Sequence, residues 1–473
     1  MSDSSSSNDY TPNEHSSLTQ WLDYMQQIHV SAIDMGLSRV MPVAQALGVV
    51  QSAKNDAYVF TVAGTNGKGS TTAVIAQMCQ AAGYKTALYQ SPHLSVFNER
   101  VTVNGEMVSE ETLIDAFSKV EAARLTCELT LSFFEMTTLA ALLIFAEADC
   151  DVWVLEVGLG GRLDVVNIID PDMAVITNIG IDHVDWLGDN VEDIGREKAG
   201  ILREGIQLVY GASEMPDSVR QAIAKHHATC YQADQDFSHR AIGSTTWQYS
   251  NAAVTMQLPR PKLSLTNTAN ALSAVLASPL KVEDTDIERA LQAVKLAGRF
   301  DYRETHHRHW LFDVAHNEKG VEFLLAQLLP LWQQHLSTLD TAAAHRGYQG
   351  GLNQNSPQQD GSQQNNAKPV TIKLLFSMLG DKDIDRVVQR LTESGLPISD
   401  WFIAEIDYPR AASADHLQGI LSNYIDDAQI HSFDGLKAAT QAVMSHSQPT
   451  DLIVVCGSFH TIGEALATLS EDD

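Results

Sequence analysis

A chain of 473 residues is longer than one ordinary hydrophobic core organises, so two domains are expected. With 44% hydrophobic and 19% charged residues the composition is globular, which excludes a disordered or fibrous chain. The 31 Lys and Arg against 59 Asp and Glu leave a formal charge of −28: a broad basic footprint for nucleic acid is excluded, and an anionic ligand must be held locally by backbone N–H groups, a divalent cation or a few placed basic residues.

Residues 1–16 read as a polar, disordered tail without the charged-then-apolar pattern of an export signal, so a cytoplasmic protein is expected. The five cysteines are scattered and form no C-x-x-C pair, which suits a reducing compartment with neither a disulfide framework nor a zinc site. No apolar run reaches the roughly 20 residues of a membrane span, so no membrane partner is expected. After Ser16-Ser17, the spacing of Leu18, Trp21, Leu22, Met25 and Ile28 predicts an amphipathic helix.

From Tyr58 onward, YVFTVAG, KTALYQS, DVWVLEVG, MAVITNI and QLVYGA read as strands with helices between several of them. That alternation predicts a mostly parallel sheet covered by helices. A helical pattern stops at Gly298, and a second series follows in HWLFDVAH, VTIKLLFSML, DWFIAEI and DLIVVCGSF. The expected fold is α/β: an N-terminal P-loop ATPase-type domain over 17–297 with a mostly parallel sheet, and a smaller C-terminal Rossmann-like α/β domain over 298–473. Residues 339–369, rich in Gln, Asn and Gly, read as a disordered surface insertion without chemistry. The His306–His309 run reads as a solvated turn before a strand.

Gly64, Thr65, Asn66, Gly67, Lys68, Gly69 and Ser70 lie between a strand and a helix expected to start near Ser70. This is the context of a phosphate cradle: the glycines admit the backbone to the phosphates, N–H groups at the helix start donate to them, and Lys68 neutralises the terminal phosphates. Ser70 or Thr71 can reach the Mg²⁺ side. The string is a variant of G-x-x-x-x-G-K-S/T, with Val62 in place of the first glycine and Gly69 after the lysine. Glu156 ends an apolar strand before a Gly-rich loop, where ligands of open α/β sheets bind, and it reads as a Mg²⁺ ligand or water-orienting group, or else as a structural carboxylate. Asp182, His183 and Asp185 follow the next strand, with Glu197-Lys198 soon after. A lone His there is more often a packed, hydrogen-bonded residue than a ligand, and Mg²⁺ prefers oxygen ligands.

Together, IDMGLSRV, GTNGKGS, SPHL with NERVTVNG, SFFE, EVGLGGRLD, DHVDWLG, GREKAGI, GRF, FDVAHN, ML-x-DKD and VCGSFHT give the chain a specific likeness from about residue 18 to 465. It resembles the folylpolyglutamate synthase/dihydrofolate synthase family of the Mur ligase superfamily, in its bifunctional form. The resemblance implies an active site in a cleft between two domains, Mg²⁺ on Ser91, Glu156 and His183, a carbamylated Lys198, and ATP contacts from Asn267, Arg299 and Asp313. For the pteroate it implies Ala32, Ile33, Asp34, Met35, Gln90, Ser132, Phe133, Phe134, Leu163, Asp164 and Val165; for glutamate it implies His316 and Ser458. Lys68, Lys198, Asp313 and His316 are the implied catalytic set. The chain departs from the family pattern at Gln90, where a small hydroxyl residue is usual, at Val165-Val166 after GRLD, and at Ala297 before GRF.

The activity this implies is ATP-dependent addition of L-glutamate to 7,8-dihydropteroate and to reduced folates through an acyl phosphate, by a monomer. The alternative is folylpolyglutamate synthase activity alone. Two further readings stand beside it: a nucleotide-regulated binding protein that has lost catalysis, against which intact Lys68, Glu156, His183, Lys198 and Asp313 argue, and a cell-wall type Mur ligase, opposed by SPHL, EVGLGGRLD and GSFHT.

Overall fold

Continuous apolar runs such as VWVLE and MAVI suit strands covered on both faces, and the first sheet is built from them. The computed structural model describes residues 11–29, 36–243, 245–349 and 369–471. The chain divides into two compact units, Met1–Leu296 and Ala297–Asp473.

The first unit holds β1 (Tyr58–Ala63), β2 (Thr86–Tyr89), β3 (Val101–Val103), β4 (Glu106–Met107), β5 (Val152–Glu156), β6 (Met173–Ile176), β7 (Gln207–Tyr210) and β8 (Thr229–Gln232) in one sheet of order β4-β3-β2-β5-β1-β6-β7-β8. From β2 to β8 the ladders are parallel, and β3 and β4 add an antiparallel edge. One face packs Trp153, Leu155 and Val59 with Trp21, Phe117, Leu139 and Phe145; the other packs Phe60, Val62 and Val154 with Val74, Met78 and Leu272. The expected first helix is Leu18–Gln27, capped reciprocally by Ser17 and Gln20, and it buries Leu18, Trp21 and Met25. A second sheet of β9 (Phe237–Ile242), β10 (Thr246–Asn251) and β11 (Thr255–Pro259) is antiparallel and was not expected.

In the second unit β12 (Asp301–Thr305), β13 (Arg308–Asp313), β14 (Ile372–Phe376), β15 (Ile398–Ala404), β16 (Ile430–Phe433) and β17 (Leu452–Cys456) form a sheet of order β12-β13-β17-β14-β15-β16. All its ladders are parallel except β12 with β13. That hairpin turns on His306 and His307, with φ of 50° and 54°, the conformation of a two-residue turn matched to strand twist. The histidine run is thus a turn, although His309 has entered β13 and packs on His335 and Tyr302.

Two expectations need correction. Of the tail expected over 1–16, residues 1–10 lie outside the described residues, but 11–16 are ordered by their own turn: Ser16 is buried, its N–H donates to Asn13 O at 2.9 Å, and Trp21 Nε1 donates to the same oxygen at 3.2 Å. The helix Glu318–Gln349 continues through the first part of the stretch read as a disordered insertion, because TLDTAAAHR is a run of adequate helix formers that follows directly on an apolar helical segment. Residues 350–368 of that stretch lie outside the described residues. Among the described residues no helix is long and apolar enough to cross a membrane.

Candidate active site

Four parallel strands, β2, β5, β1 and β6, are consecutive neighbours in the first sheet, so the segments leaving their carboxyl ends are brought to one edge. Those segments are Gln90-Ser91, Glu156, the 64–70 loop and the stretch leading to His183. Residues spread over more than a hundred positions become neighbours because β5 and β6 are laid down on either side of β1.

The helix after β1 starts at Lys68, not near Ser70, and Gly67 caps it in the left-handed region at φ 85°. A side chain at Gly67 is excluded twice over, since a Cβ there would lie 2.3 Å from Asn267 Oδ1. Asn267, near the start of the helix Leu265–Ala277, is buried and lies directly over the loop. Gly67→Ala is therefore expected to cost about 1–3 kcal/mol of stability through backbone strain and contact, and to weaken binding of a non-hydrolysable ATP analogue by calorimetry; wild-type affinity in that variant would contradict the cradle.

The loop is braced from β6. Thr177 Oγ1 donates to the Asn66 carbonyl at 2.6 Å, Asn178 exchanges bonds with Asn66 (N to Oδ1 3.1 Å, Nδ2 to O 2.8 Å), and Thr65 Oγ1 bonds the Gly180 carbonyl at 3.1 Å. Sequence reasoning missed Thr177 and Asn178. Their signal was a polar Thr-Asn pair closing the apolar MAVI run. Ser70 and Thr71 are buried in the first turn.

Two lysines meet at one carbonyl. Lys68 Nζ donates to Gly64 O at 3.1 Å, and Lys198 Nζ, from the end of the helix Val191–Lys198, donates to the same oxygen at 3.0 Å. Lys198 is buried, and burial, reinforced by the Lys68 charge, pulls its pKa down to about 7 while Asp182 and Asp164 act the other way. Its amine is thus available unprotonated near neutral pH. The EVGLGGRLD loop fixes the approach of this helix: Arg162 N donates to Glu197 O at 2.8 Å, and Asn167 Nδ2 donates to Gly200 O at 3.1 Å.

Glu156 is buried at the tip of β5, with its Oε2 3.4 Å from the Ser91 N–H and close to Gly69 at the helix start. His183 follows β6 in the left-handed region at φ 53°, its side chain 42% exposed beside Asp182. Among the described residues no three His, Cys, Asp or Glu side chains converge on one point. One buried carboxylate and a neighbouring serine fit Mg²⁺, which keeps several waters and takes the rest of its shell from substrate phosphates.

Of the residues expected to meet the pteroate, Ala32 to Met35 lie outside the described residues. Ser132 caps the helix Phe133–Glu147 in a reciprocal box with Glu135. Phe133 packs edge-on to Phe97, 6.2 Å between centroids, and the Phe134 ring lies against the backbone of Gly158, where a Cβ would come within 2.5 Å of Cζ. Only a glycine lets that ring rest on the loop after Glu156. Leu163 is half-buried and Val165 buried; Asp164 is buried and accepts from Leu159 N and Val166 N at 2.9 Å each. Burial lifts the Asp164 pKa to about 6 against the pull of those N–H groups and of Lys68. Gln90 bonds Gly69 O and Thr72 Oγ1.

In the second unit Asp313 ends β13 and accepts from Phe300 N at 2.8 Å and Ala315 N at 3.0 Å. Burial raises its pKa, and the charges of Arg299 and His316 oppose the rise. The Arg299 guanidinium lies 4.6 Å from the Phe459 ring centroid. His316 Nδ1 is 3.1 Å from Val314 O, and Ser458, after the neighbouring strand β17, is buried, with its Oγ accepting from Thr461 N at 3.0 Å. The Ser458 hydroxyl therefore serves the first turn of the helix Phe459–Glu471.

A model of the Mur ligase middle domain matches residues 62–278. The dihydrofolate synthase/folylpolyglutamate synthase of Escherichia coli K12 is 36% identical over 460 residues, covering 97% of each chain. The chain belongs to the dihydrofolate synthase/folylpolyglutamate synthase family. As a member of this family it is an ATP-dependent, amide-forming ligase. Among solved folylpolyglutamate synthase/dihydrofolate synthase structures, E. coli FolC in complex with DHPP and ADP matches with a TM-score of 0.82 at 35% identity, over 98% of this chain and 100% of that one. The Yersinia pestis enzyme complexed with AMPPNP and a Mn ion matches with a TM-score of 0.82 at 34% identity, over 98% and 100%.

Proposed function

We infer that the chain adds L-glutamate first to 7,8-dihydropteroate and then to reduced folates, each time through an acyl phosphate made with ATP. The observation that carries this reading is the meeting of Lys68 and Lys198 at the Gly64 carbonyl beside the strand-tip carboxylate Glu156. A carboxylate resists amines because its leaving group would be oxide, so its oxygen first attacks the terminal phosphorus and ADP departs. Lys68 and the N–H groups of the helix start neutralise the transferring phosphoryl group. The glutamate amine then attacks the acyl carbon and inorganic phosphate leaves, carrying away the oxygen that made the acid inert.

Glu156 and Ser91 would hold Mg²⁺, with His183 beside them; bound there, the ion supplies charge neutralisation on the phosphates. Lys198 would be carbamylated: CO₂ adds only to a neutral amine, and the product is a carboxylate-like group suited to a cation site. Asn267, Arg299 and Asp313 would be nucleotide contacts. His316 and Ser458 would receive glutamate, and Phe134 would stack on the pterin. The same reading expects a cytoplasmic monomer.

A substrate panel tests it. With ATP, Mg²⁺ and glutamate, phosphate release is expected with dihydropteroate and with tetrahydrofolate forms alike. Release with folates but never with dihydropteroate would leave a folylpolyglutamate synthase alone; release with neither would remove the ligase reading.

A further inference from the structure

Gln90 stands at the end of β2, and its amide reaches the first turn of the helix Lys68–Ala81. Nε2 donates to Gly69 O at 2.8 Å and to Thr72 Oγ1 at 2.9 Å. Chemistry decides the orientation. A carbonyl only accepts, so the atom facing Gly69 O is the nitrogen, and the Thr72 hydroxyl, whose hydrogen goes to Gly69 O (2.9 Å) or Lys68 O (3.2 Å), offers a lone pair. Both amide hydrogens are thereby committed to the phosphate helix.

The main chain at this point is anchored as well. Gln90 N donates to Arg100 O at 3.0 Å, and the next N–H, that of Ser91, lies 3.4 Å from Glu156 Oε2. Gly69 sits between the two side chains: a Cβ there would be 3.4 Å from Glu156 Oε2 and 3.5 Å from Gln90 Nε2. Since β5 separates β2 from β1, no ladder bond links the tip of β2 to the loop after β1. The Gln90 amide spans that gap.

We propose that Gln90 is a positioning residue for nucleotide, which holds the start of the phosphate helix in register with Glu156 and Ser91, rather than a contact of the pteroate. A serine or threonine at this place would end nearer the backbone and would lack the second donor, so the register device belongs to the glutamine. The proposal rests on the ligase reading for its kinetic test, though not for its binding test.

Gln90→Met keeps the length of the side chain and removes both donors; Gln90→Ser removes the reach. In the full chain, with whichever folate substrate the wild type turns over, Gln90→Met is expected to raise KM for ATP by about tenfold, the equivalent of one to two neutral hydrogen bonds. kcat falls and KM for the folate substrate stays unchanged. In calorimetry a non-hydrolysable ATP analogue with Mg²⁺ should lose affinity by a similar factor. A raised folate KM with an unchanged ATP KM would make Gln90 a substrate contact, and wild-type values throughout would make both bonds inert; either outcome overturns the proposal. An inactive wild type sinks the ligase reading alone, because the calorimetric comparison still reads Gln90. Should Gln90→Met unfold, Gln90→Ser is judged by the same measurements.

Discussion

Lys68→Ala is expected to lower kcat/KM for ATP by about 10³-fold or more in the glutamate-ligation assay, while thermal unfolding moves little. The magnitude follows from removing a preorganised charge from a phosphoryl transfer, where a single lost donor already costs about 10²–10³-fold. The small effect on stability follows from the geometry: Nζ donates to Gly64 O and, at 3.5 Å, Thr65 O, two oxygens of its own loop, and Lys198 also donates to Gly64 O. A variant that ligates at the wild-type rate would refute the phosphate-loop reading, and with it the mechanism.

The second large effect concerns Lys198. Lys198→Ala is expected to lower kcat by at least about 10²-fold, on the scale of losing one stabilising group. In the wild-type protein, ligation should fall as the pH drops through about 7, because the protonated amine cannot hold CO₂. Labelled bicarbonate should give a carbamate signal that disappears in Lys198→Ala. Linkage sets the sign for the protein kept free of CO₂. The folded pKa lies below the unfolded value of 10.5, so between about 7 and 10.5 the unfolded chain binds the extra proton and stability rises with pH. Below about 7 both states are protonated and that contribution is gone. Full activity of Lys198→Ala would remove the carbamate from the mechanism, and a flat stability profile over that window would contradict the neutral buried amine.

Strands flanked by helices and buried on both faces are written in nearly continuous apolar letters, which is why β1, β2, β5, β6, β7, β13, β14, β15 and β17 could be read directly. The elements that could not be read are half-exposed. In β9 and β10 only Phe237, Trp247 and Tyr249 are buried among polar neighbours such as Arg240 and Gln248, and β3, β4, β12 and β16 are short or lie at or near sheet edges. The helix start was misplaced because Gly67 ends the loop in a conformation that no letter pattern announces. At the site, the phosphate string and Glu156 were legible from strand-end position. The bracing by Thr177 and Asn178, the shared carbonyl of Lys68 and Lys198, and the reach of Gln90 across β5 depend on strand order, which a linear reading does not contain. The bond from Thr461 N to the Ser458 hydroxyl is likewise a local arrangement that the string VCGSFHT does not spell out.

The order β2-β5-β1-β6 has a consequence for synthesis. Because β5 separates β2 from β1, a nascent chain that has emerged only as far as Tyr89 owns a nucleotide string without a pocket. Glu156, then Thr177 and Lys198, and last Asn267 must leave the ribosome before the cradle can close, so nearly the whole first unit has to be made before it can take up nucleotide. Stalled or truncated products ending short of residue 267 should be blind to ATP, and the ligand can stabilise only chains whose first unit is finished.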